Sequence, residues 1–357
     1  MLPRVNTDIF RFPSAFVERV NIREQVAWSH PPNHEETQAI AEDYLRMGIV
    51  RAQKSSPPTP YTEANERTVL VVGGGAAGLS AAIRAARSGV GVVLVEKERE
   101  LGGYAARLHR QFPKRPPYEG LEATDIAEKI RVVRSLTNVR ILTNAVVQEV
   151  SGEPGRFSVT IRRDAGATQV TVGAIVLATG WRPAETQAYA AYGLGRYPNV
   201  VTSMALEAMA AEGMIRRPSD GRRATRVAFL LCDGEGDDAH LPYGGNVASL
   251  VALKQATYVR QQSAEASAYI FYGDMQTPGQ YEYFYRNVQA DPGILFSCGE
   301  VRVVGEDRDR NMVLEVSDTL IGGDIQVAVD LLVLSTGMGP STLDAEGALG
   351  LAYLQGK

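Results

Sequence analysis

The chain has 357 residues, of which 45% are hydrophobic and 22% charged, and this usage is typical of a soluble globular protein with room for two domains. A net charge of −4 gives no reason to expect nucleic acid or an anionic membrane surface as a partner, and no run of about 18 apolar residues predicts a membrane span. Two cysteines cannot form a disulfide framework and the N-terminus lacks the apolar core of a signal peptide, so we expect a cytoplasmic protein.

The first 66 residues predict an N-terminal arm. Residues 1 to about 35 show no periodicity, whereas residues 36–52 place Ile40, Tyr44 and Ile49 on one stripe of a helix. Residues 53–68 are rich in proline and serine, which is typical of a linker.

A strand, a glycine turn, a helix of small residues and a second strand follow, in the sequence VLVVGGGAAGLSAAIRAARSGVGVVLVEKE. This order predicts one βαβ unit whose turn satisfies G-x-G-x-x-G. Gly73 permits the tight turn, Gly75 lets a pyrophosphate approach the backbone, and Gly78 lets helix and strand pack closely. The free N–H groups at the start of the helix, where Ala76 and Ala77 lie, are predicted to bind the phosphates.

Glu96 ends the second strand, 18 residues after Gly78. An acidic side chain at this point accepts hydrogen bonds from ribose hydroxyls and disfavours a 2′-phosphate. The motif, its flanking strands and this acid together predict a dinucleotide-binding domain, and the alternative is a glycine turn without a ligand.

The residues after Glu96 indicate which dinucleotide is bound. Lys97 follows the acid and Gly102–Gly103 come shortly after it, so that the chain reads VEKxxxxGG. This pattern resembles the FAD domain of flavoproteins with two dinucleotide-binding domains. The resemblance implies that Gly102 and Gly103 pass close to the ribityl chain and the flavin, and that Val147 offers backbone to adenine. It also assigns to the site the ATG loop, which consists of Ala178, Thr179 and Gly180.

After a connector at about 184–224, a second series of alternating strands and helices is predicted. Strands are predicted near 226–232, 268–273 and 293–297, helices near 244–262 and 279–290, a hairpin at 301–320 and a last strand at 331–340. The last strand, LLVLSTGMGP, repeats the IVLATGWRP of the first half, which favours two related domains.

We therefore predict an α/β protein with two Rossmann-like domains of the FAD/NAD(P)-binding, thioredoxin-reductase-like superfamily. The predicted ranges are 1–66 for the helical arm and linker, 67–224 for the FAD domain with its connector, 225–340 for the second Rossmann-like domain and 341–357 for a tail.

Several catalytic classes are excluded by missing motifs. No C-x-x-C or C-x4-C pair is present, which excludes direct dithiol chemistry, and H-E-x-x-H is absent. The four histidines, at positions 30, 34, 109 and 240, are scattered and are interpreted as surface or loop residues.

Blocks outside the common FAD signature carry a more specific resemblance. The sequences VNIREQVAWSH, VEKERELGGYAARLHRQFP, YGLGRYPNVVTSMALE and YEYFYRNV occur in order from about residue 20 to about residue 345. They resemble the A-subunit family of heterodisulfide reductase, in the shorter form of sulfur-oxidising bacteria. The resemblance implies an FAD-dependent oxidoreductase that passes electrons between partner subunits of a heterodisulfide-reductase-like complex, with sulfur-compound oxidation as its context and a homodimer as its common state.

The chain also departs from that family. The ferredoxin-like cysteine runs of the long forms are absent, and Val26 stands where a cysteine is common. A lysine close to the flavin corresponds to Arg110, which we therefore expect to be the cation that stabilises reduced flavin, with different hydrogen-bond geometry. The chain stops soon after STGMGPS, where the family usually returns to the FAD domain.

Cys232 opens the loop CDGEGDDAHLPYGG, which follows the first strand of the second half. In long family members this cysteine begins a [4Fe–4S] ligand set, and the later cysteines are missing here. Cys298 is expected at the carboxyl end of another strand, so the two thiols are candidates for a shared iron–sulfur site. The alternative is two ordinary buried thiols. The loop lacks G-x-G-x-x-G and its acids oppose a pyrophosphate, so it is a poor NAD(P)H site.

Two other functions stay open at this point. One is a stand-alone NAD(P)H-dependent flavin oxidoreductase, which requires a working nucleotide loop after residue 232. The other is a scaffold that binds FAD structurally and organises partner subunits without turnover of its own.

Overall fold

A computed structural model of the protein describes residues 17–56, 65–164, 166–183, 186–231, 244–336 and 338–341. The chain divides into two compact units, residues 1–64 and residues 65–357. Among the described helices, none combines the length and apolar character needed to cross a membrane.

The first unit is built around helix α1 (Glu35–Lys54), which confirms the helix predicted at 36–52. The region before it was predicted to be irregular, but its described part contains a short helical turn, Arg23–Ala27, with Val26 buried. Gly48 of α1 lies against the side chain of Val20, so a Cβ at this position would collide with that side chain. Arg51 pairs with Glu18 at 3.1 Å and joins the same two segments.

The first half of the larger unit confirms the predicted βαβ unit and the strands that follow it. Its strands are β1 Thr68–Val72, β2 Gly91–Val95, β3 Val139–Leu142, β4 Ala145–Glu153, β5 Arg156–Arg163, β6 Gly166–Val172, β7 Ala174–Leu177 and β8 Trp181–Pro183. Its helices are α2 Ala76–Arg87 and α3 Ile126–Ser135.

A parallel sheet in the order β3-β2-β1-β7 lies between the two helices and the antiparallel sheet β4-β5-β6. After Thr68, strand β1 is apolar from Val69 to Val72, as suits a strand that is covered on both faces. Leu70 and Val93 pack against the antiparallel sheet, whereas Val71 and Leu94 pack against α2 and α3.

The second half contains a seven-stranded sheet. Its strands are β9 Val200–Thr202, β10 Arg226–Leu231, β11 Ser267–Tyr272, β12 Ile294–Glu306, β13 Met312–Asp318, β14 Gly323–Val329, β15 Leu331–Ser335, with β16 Met338–Pro340 outside the sheet. Its helices are α4 Ser203–Ala211, α5 Gly244–Gln262 and α6 Tyr281–Gln289. The sheet order is β14-β13-β12-β11-β10-β15-β9, and the hairpin predicted at 301–320 is the antiparallel pair β12–β13.

The two sheets share one arrangement around their first strands. Strand β1 lies between β2 and β7, and β10 lies between β11 and β15, with all four pairings parallel. Strands β7 and β15, which belong to the two repeated segments, thus occupy equivalent positions, as the sequence repeat predicts.

Strand β9 and helix α4 lie in the range predicted as the connector of the first domain, but they pack with the second sheet. Leu332 of β15 pairs with Val200 of β9, and Leu206 of α4 belongs to the core that contains Phe229 and Leu253. A three-residue strand has too little periodicity to be recognised locally, and only its pairing partner reveals it.

After β15 the chain returns to the first half. Strand β16 pairs antiparallel with β8, and the Ser341 N–H donates to the Gly180 carbonyl at 3.1 Å. The sequence left open whether this contact with the FAD domain is made at all, and residues 338–341 make it.

Candidate functional site

The glycine turn after β1 has the geometry that its sequence predicts. Gly73 adopts a φ of +103°, and a Cβ there would collide with the carbonyl of Ala178. Its N–H donates to the Val95 carbonyl at 2.8 Å, which ties the turn to the end of β2. Only glycine fits this position without strain.

Gly78 serves the packing of helix α2 rather than the surface of the site. A Cβ on Gly78 would overlap the carbonyl of Gly73, so the first turn of α2 lies directly against the glycine turn. Gly78 is buried and does not line the cavity described below. This is the packing role that the motif predicts for its third glycine.

Gly75 faces open space at the start of α2. A Cβ on Gly75 would meet no atom within 4 Å, and its φ of −77° is accessible to any residue. The absence of a side chain therefore leaves room beside the first turn of the helix, where unpaired N–H groups and the helix dipole favour an anion.

The second pair of glycines lies directly opposite Gly75. The Gly102 N–H donates to the Gly74 carbonyl at 2.8 Å, and both Gly102 and Gly103 have positive φ values. A Cβ on Gly103 would come within 3.3 Å of the Gly75 Cα. The two glycine segments thus form one continuous backbone surface.

Glu96 is the buried carboxylate of this surface, with 6% of its area exposed. Its Oε2 accepts a hydrogen bond from the Gly74 N–H at 2.6 Å, and its Oε1 accepts one from the Glu98 N–H at 2.9 Å. These bonds hold the side chain in place, and the remaining lone pairs of the carboxylate can accept hydroxyl donors.

One cavity of about 450 Å³ joins these segments. This volume lies within the range of about 300–1,000 Å³ that is usual for small-molecule sites. Twelve of the predicted binding residues line it: Gly73, Gly75, Ala76, Ala77, Glu96, Lys97, Gly102, Gly103, Val147, Ala178, Thr179 and Gly180. Of the predicted FAD-binding set, only Gly78 is outside the lining.

The cavity also contains side chains that were not predicted. Tyr104, Arg107, Trp181, Arg182 and Ser341 line its wall. The Tyr104 and Trp181 rings stack with centroids 4.4 Å apart and planes at 14°, and the Arg107 guanidinium lies 5.2 Å from the Tyr104 ring centroid. Tyr104 directly follows Gly103, and Trp181 directly follows Gly180. This position next to a predicted glycine loop is the local signal by which the two aromatic residues could have been predicted.

Arg110, the predicted cation near the flavin, does not line the cavity. Its side chain is exposed, and its backbone N–H donates to the Tyr258 hydroxyl at 3.1 Å. Its carbonyl accepts from Lys254 Nζ at 3.1 Å. The cations that line the cavity instead are Arg107, Arg182 and Lys97.

The predicted iron–sulfur residues are only partly visible. Cys232 lies outside the described residues, as do the acids of its loop and His240. Cys298 is half-buried, and its Sγ lies 3.7 Å from the Gly273 carbonyl. Cys298 is the last residue of β12 that pairs with the parallel strand β11, and its partner there is Tyr272. The strand then continues to Glu306 as one arm of the hairpin with β13. The prediction that the strand ends just before Cys298 is therefore wrong. Within the described ranges no group of three or more His, Cys, Asp or Glu residues could hold a metal ion.

The start of helix α5 in the second half differs from that of α2. Gly245 lies in its first turn, and a Cβ there would come within 3.2–3.3 Å of the Gln276 side-chain amide. The Gln276 side chain donates to Asp274 at 2.8 Å, and its backbone N–H donates to Ser249 Oγ at 3.1 Å. Gln276 therefore lies against the first turn of α5, whereas no atom lies within 4 Å of a Cβ at Gly75.

Comparison with known proteins shows which protein family and which subunits have sequences similar to this chain. Residues 67–213, which include the glycine turn, Glu96 and the ATG loop, match the family described as pyridine nucleotide-disulphide oxidoreductase. Methanopyrus kandleri has two iron-sulfur A-subunits of CoB–CoM heterodisulfide reductase. The chain is 27% identical to the first along 94% of its length and 29% identical to the second along 90%. The corresponding A-subunit of Methanocaldococcus jannaschii is 27% identical over 91% of the chain. The chain is a homologue of the heterodisulfide reductase A-subunits.

This relationship confirms the family predicted from the sequence blocks. The chain spans only 61–64% of the length of these three A-subunit relatives. The family match supports the prediction of an FAD-dependent oxidoreductase.

The fold prediction is confirmed by a solved structure. The Lactococcus lactis thioredoxin reductase (FR conformation) superposes with a TM-score of 0.51 at 17% identity and covers 80% of this chain and 81% of its own. At this identity the likeness concerns the fold alone, which is the predicted arrangement of two Rossmann-like halves.

Proposed function

We propose that this chain binds FAD in the cavity at the glycine turn and serves as an electron-transfer subunit of a heterodisulfide-reductase-like complex, in sulfur-compound oxidation. The observation that carries the FAD site is the open backbone surface of Gly75 and Gly103 beside the buried Glu96 carboxylate. The complex rests on the similarity to the heterodisulfide reductase A-subunits. The domain ranges given above are part of the same proposal, except that β9 and α4 of the connector go with the second sheet.

The residues present fit a dinucleotide in three respects. The open space at Gly75 accepts a pyrophosphate on the helix N-terminus. The held carboxylate of Glu96 accepts ribose hydroxyls. Val147, buried at the β2 side of the cavity, suits the adenine ring. When bound, FAD would accept and release electrons, and the chain would orient it and exclude water.

The cation opposite reduced flavin is assigned to Arg107 in this proposal, in place of Arg110. Both side chains are exposed, but Arg107 lines the cavity, whereas Arg110 lies outside the lining and is linked through its backbone to Tyr258 and Lys254. A guanidinium at the cavity wall would stabilise the negative charge that reduced flavin carries.

A stand-alone NAD(P)H oxidoreductase is less well supported. Its nucleotide would need the start of α5, and the Gln276 side chain lies against Gly245 there. We propose instead that electrons come from partner subunits, and that the chain forms a homodimer within the complex. An iron–sulfur role of Cys232 and Cys298 is not part of this proposal. Among the described residues, the contact of the Cys298 thiol is the Gly273 carbonyl, and no group of three or more metal-ligating side chains is found.

The test of the FAD site is the substitution Gly75→Asp. The purified protein should be yellow and hold FAD, and the variant should lose it, because a carboxylate beside the first turn of α2 repels the pyrophosphate. A Cβ at Gly75 meets nothing within 4 Å, so the variant should fold normally. Retention is measured as the flavin absorbance per protein after gel filtration.

Gly120→Asp is the matched control, since Gly120 is exposed, a Cβ there also meets no atom, and it does not line the cavity. It should keep the wild-type flavin content. A folded Gly75→Asp protein with full FAD would contradict the assignment.

A further inference from the structure

The cavity has two ends, on either side of β1. Glu96 follows β2 on one side of that strand, and the Ala178–Gly180 loop follows β7 on the other side. Strands in a sheet are about 4.8 Å apart, so the two ends are separated by roughly 10 Å. A ligand with its ribose at Glu96 and its pyrophosphate at Gly75 must extend past β1 toward β7.

The β7 end of the cavity is aromatic. Trp181 directly follows the Gly180 loop, and Tyr104 directly follows Gly103, so each ring is attached to one of the two glycine segments. The rings stack at 4.4 Å, and both side chains are only partly buried while lining the cavity. This apolar ring surface is therefore available to a ligand.

The stack is held at both of its backbone attachments. Trp181 belongs to β8, which pairs with β16, and the Ser341 N–H donates to the Gly180 carbonyl. Tyr104 belongs to the helical turn Gly103–Arg107, and the Arg107 guanidinium lies over its ring. The rings are thus positioned before a ligand arrives, which lowers the cost of binding.

We infer that Tyr104 and Trp181 form the stacking wall for the isoalloxazine ring and act as positioning residues of the flavin site. The inference rests on the proposed FAD site and deepens it. A planar aromatic ring prefers an offset-stacked neighbour, so two rings already in place favour a third flat ring system beside them. The other end of the cavity offers the Glu96 carboxylate and the exposed Lys97, which suit a ribose rather than a flavin ring.

The test uses the fluorescence of the bound flavin. Tryptophan and tyrosine in contact with a flavin quench its emission by electron transfer, and phenylalanine does not. Trp181→Phe, Tyr104→Phe and the double variant keep aromatic rings, so they should retain FAD. Emission per bound FAD should rise in the single variants, more for the ring nearer the flavin, and severalfold in the double variant, where neither quencher remains.

Trp28→Phe is the matched control, because Trp28 is the only other tryptophan and is 71% exposed in the N-terminal unit. It should leave the flavin emission at the wild-type value. Thermal unfolding midpoints check that all variants are folded, and Trp181→Leu, which removes the ring, should additionally weaken FAD retention.

Two failures are distinguishable. If the wild type holds FAD but the double variant Trp181→Phe, Tyr104→Phe leaves its emission unchanged, the aromatic wall is wrong and the FAD site stands. If the wild type holds no FAD after incubation with it, the proposed function and the wall both fall.

Discussion

At the residue scale, the site depends on which glycine needs to be glycine and why. Gly73 needs its positive φ and Gly78 needs its missing side chain for packing, whereas Gly75 has neither constraint in the folded chain. The missing side chain at Gly75 leaves open space beside the helix, which the proposed FAD site assigns to the pyrophosphate. For the cation, the sequence position is less informative. Arg107 and Arg110 are only three residues apart, and of these two only Arg107 lines the cavity.

The substitution Arg107→Gln tests this cation. It should lower the midpoint potential of the bound flavin, because the positive charge favours the anionic reduced form. An exposed ion contact is worth about 1 kcal/mol, and about 30 mV corresponds to 1.4 kcal/mol for a two-electron couple, so a shift on the order of 20 mV is expected. Dye-equilibrated reductive titration measures it.

Arg87→Gln serves as the comparison, since Arg87 ends α2, roughly 16 Å along the helix from its start. It should leave the potential unchanged. An equal shift in both variants would indicate a general charge effect and contradict the role of Arg107.

At the element scale, helices α4 and α5 contact the segment around His109 and Arg110, which follows Gly102 and Gly103 in the chain. Glu207 of α4 and Lys254 of α5 form a salt bridge of 2.8 Å with both side chains 1% exposed. Glu207 also accepts from the Gln255 amide and the His109 N–H, while Lys254 donates to the Arg110 carbonyl. Burial lowers the pKa of Lys254, and the Glu207 carboxylate opposes this shift.

The substitution Glu207→Gln should strongly reduce the free energy of unfolding. It leaves the Lys254 ammonium buried without its carboxylate, and removing one partner of a buried pair costs about 3–5 kcal/mol. The double variant Glu207→Gln, Lys254→Met should recover part of this loss. Urea denaturation followed by circular dichroism measures the cycle.

The exposed pair Glu128–Arg131, with side chains 59% and 71% exposed, provides the reference. Glu128→Gln should change the free energy of unfolding by less than about 1 kcal/mol. If Glu207→Gln costs no more than Glu128→Gln, the buried pair does not stabilise the fold.

At the scale of the whole molecule, two similar halves differ in their accessible surface. A Cβ on Gly75 at the start of α2 would meet no atom within 4 Å, whereas a Cβ on Gly245 in the first turn of α5 would meet the Gln276 side chain. The cavity described above lies in the first half, and residues 338–341 link the second half back to that half.

Anaerobic mixing with NADH alone should leave the flavin absorbance of the purified protein unchanged, because the loop after Leu231 lacks G-x-G-x-x-G and the Gln276 side chain lies against Gly245 in the first turn of α5. Dithionite should bleach the same sample, which controls for a reducible flavin. Rapid bleaching by NADH without partner proteins would favour the stand-alone oxidoreductase instead.

The sequence by itself determined the βαβ unit and the repeated halves, because these follow from local periodicity and from one motif of fixed spacing. Of the twelve predicted residues that line the cavity, five follow from that motif and its acid, and the others follow from the resemblance to flavoproteins. The sequence assigned Arg110 to the flavin by similarity, whereas the tertiary structure puts Arg107, at the end of a helical turn, in the cavity lining and leaves Arg110 outside it. Strand β9, the Trp181–Tyr104 stack and the Ser341 contact depend on segments far apart in the chain. Local patterns carry no information about such pairings, so only the folded chain could define them.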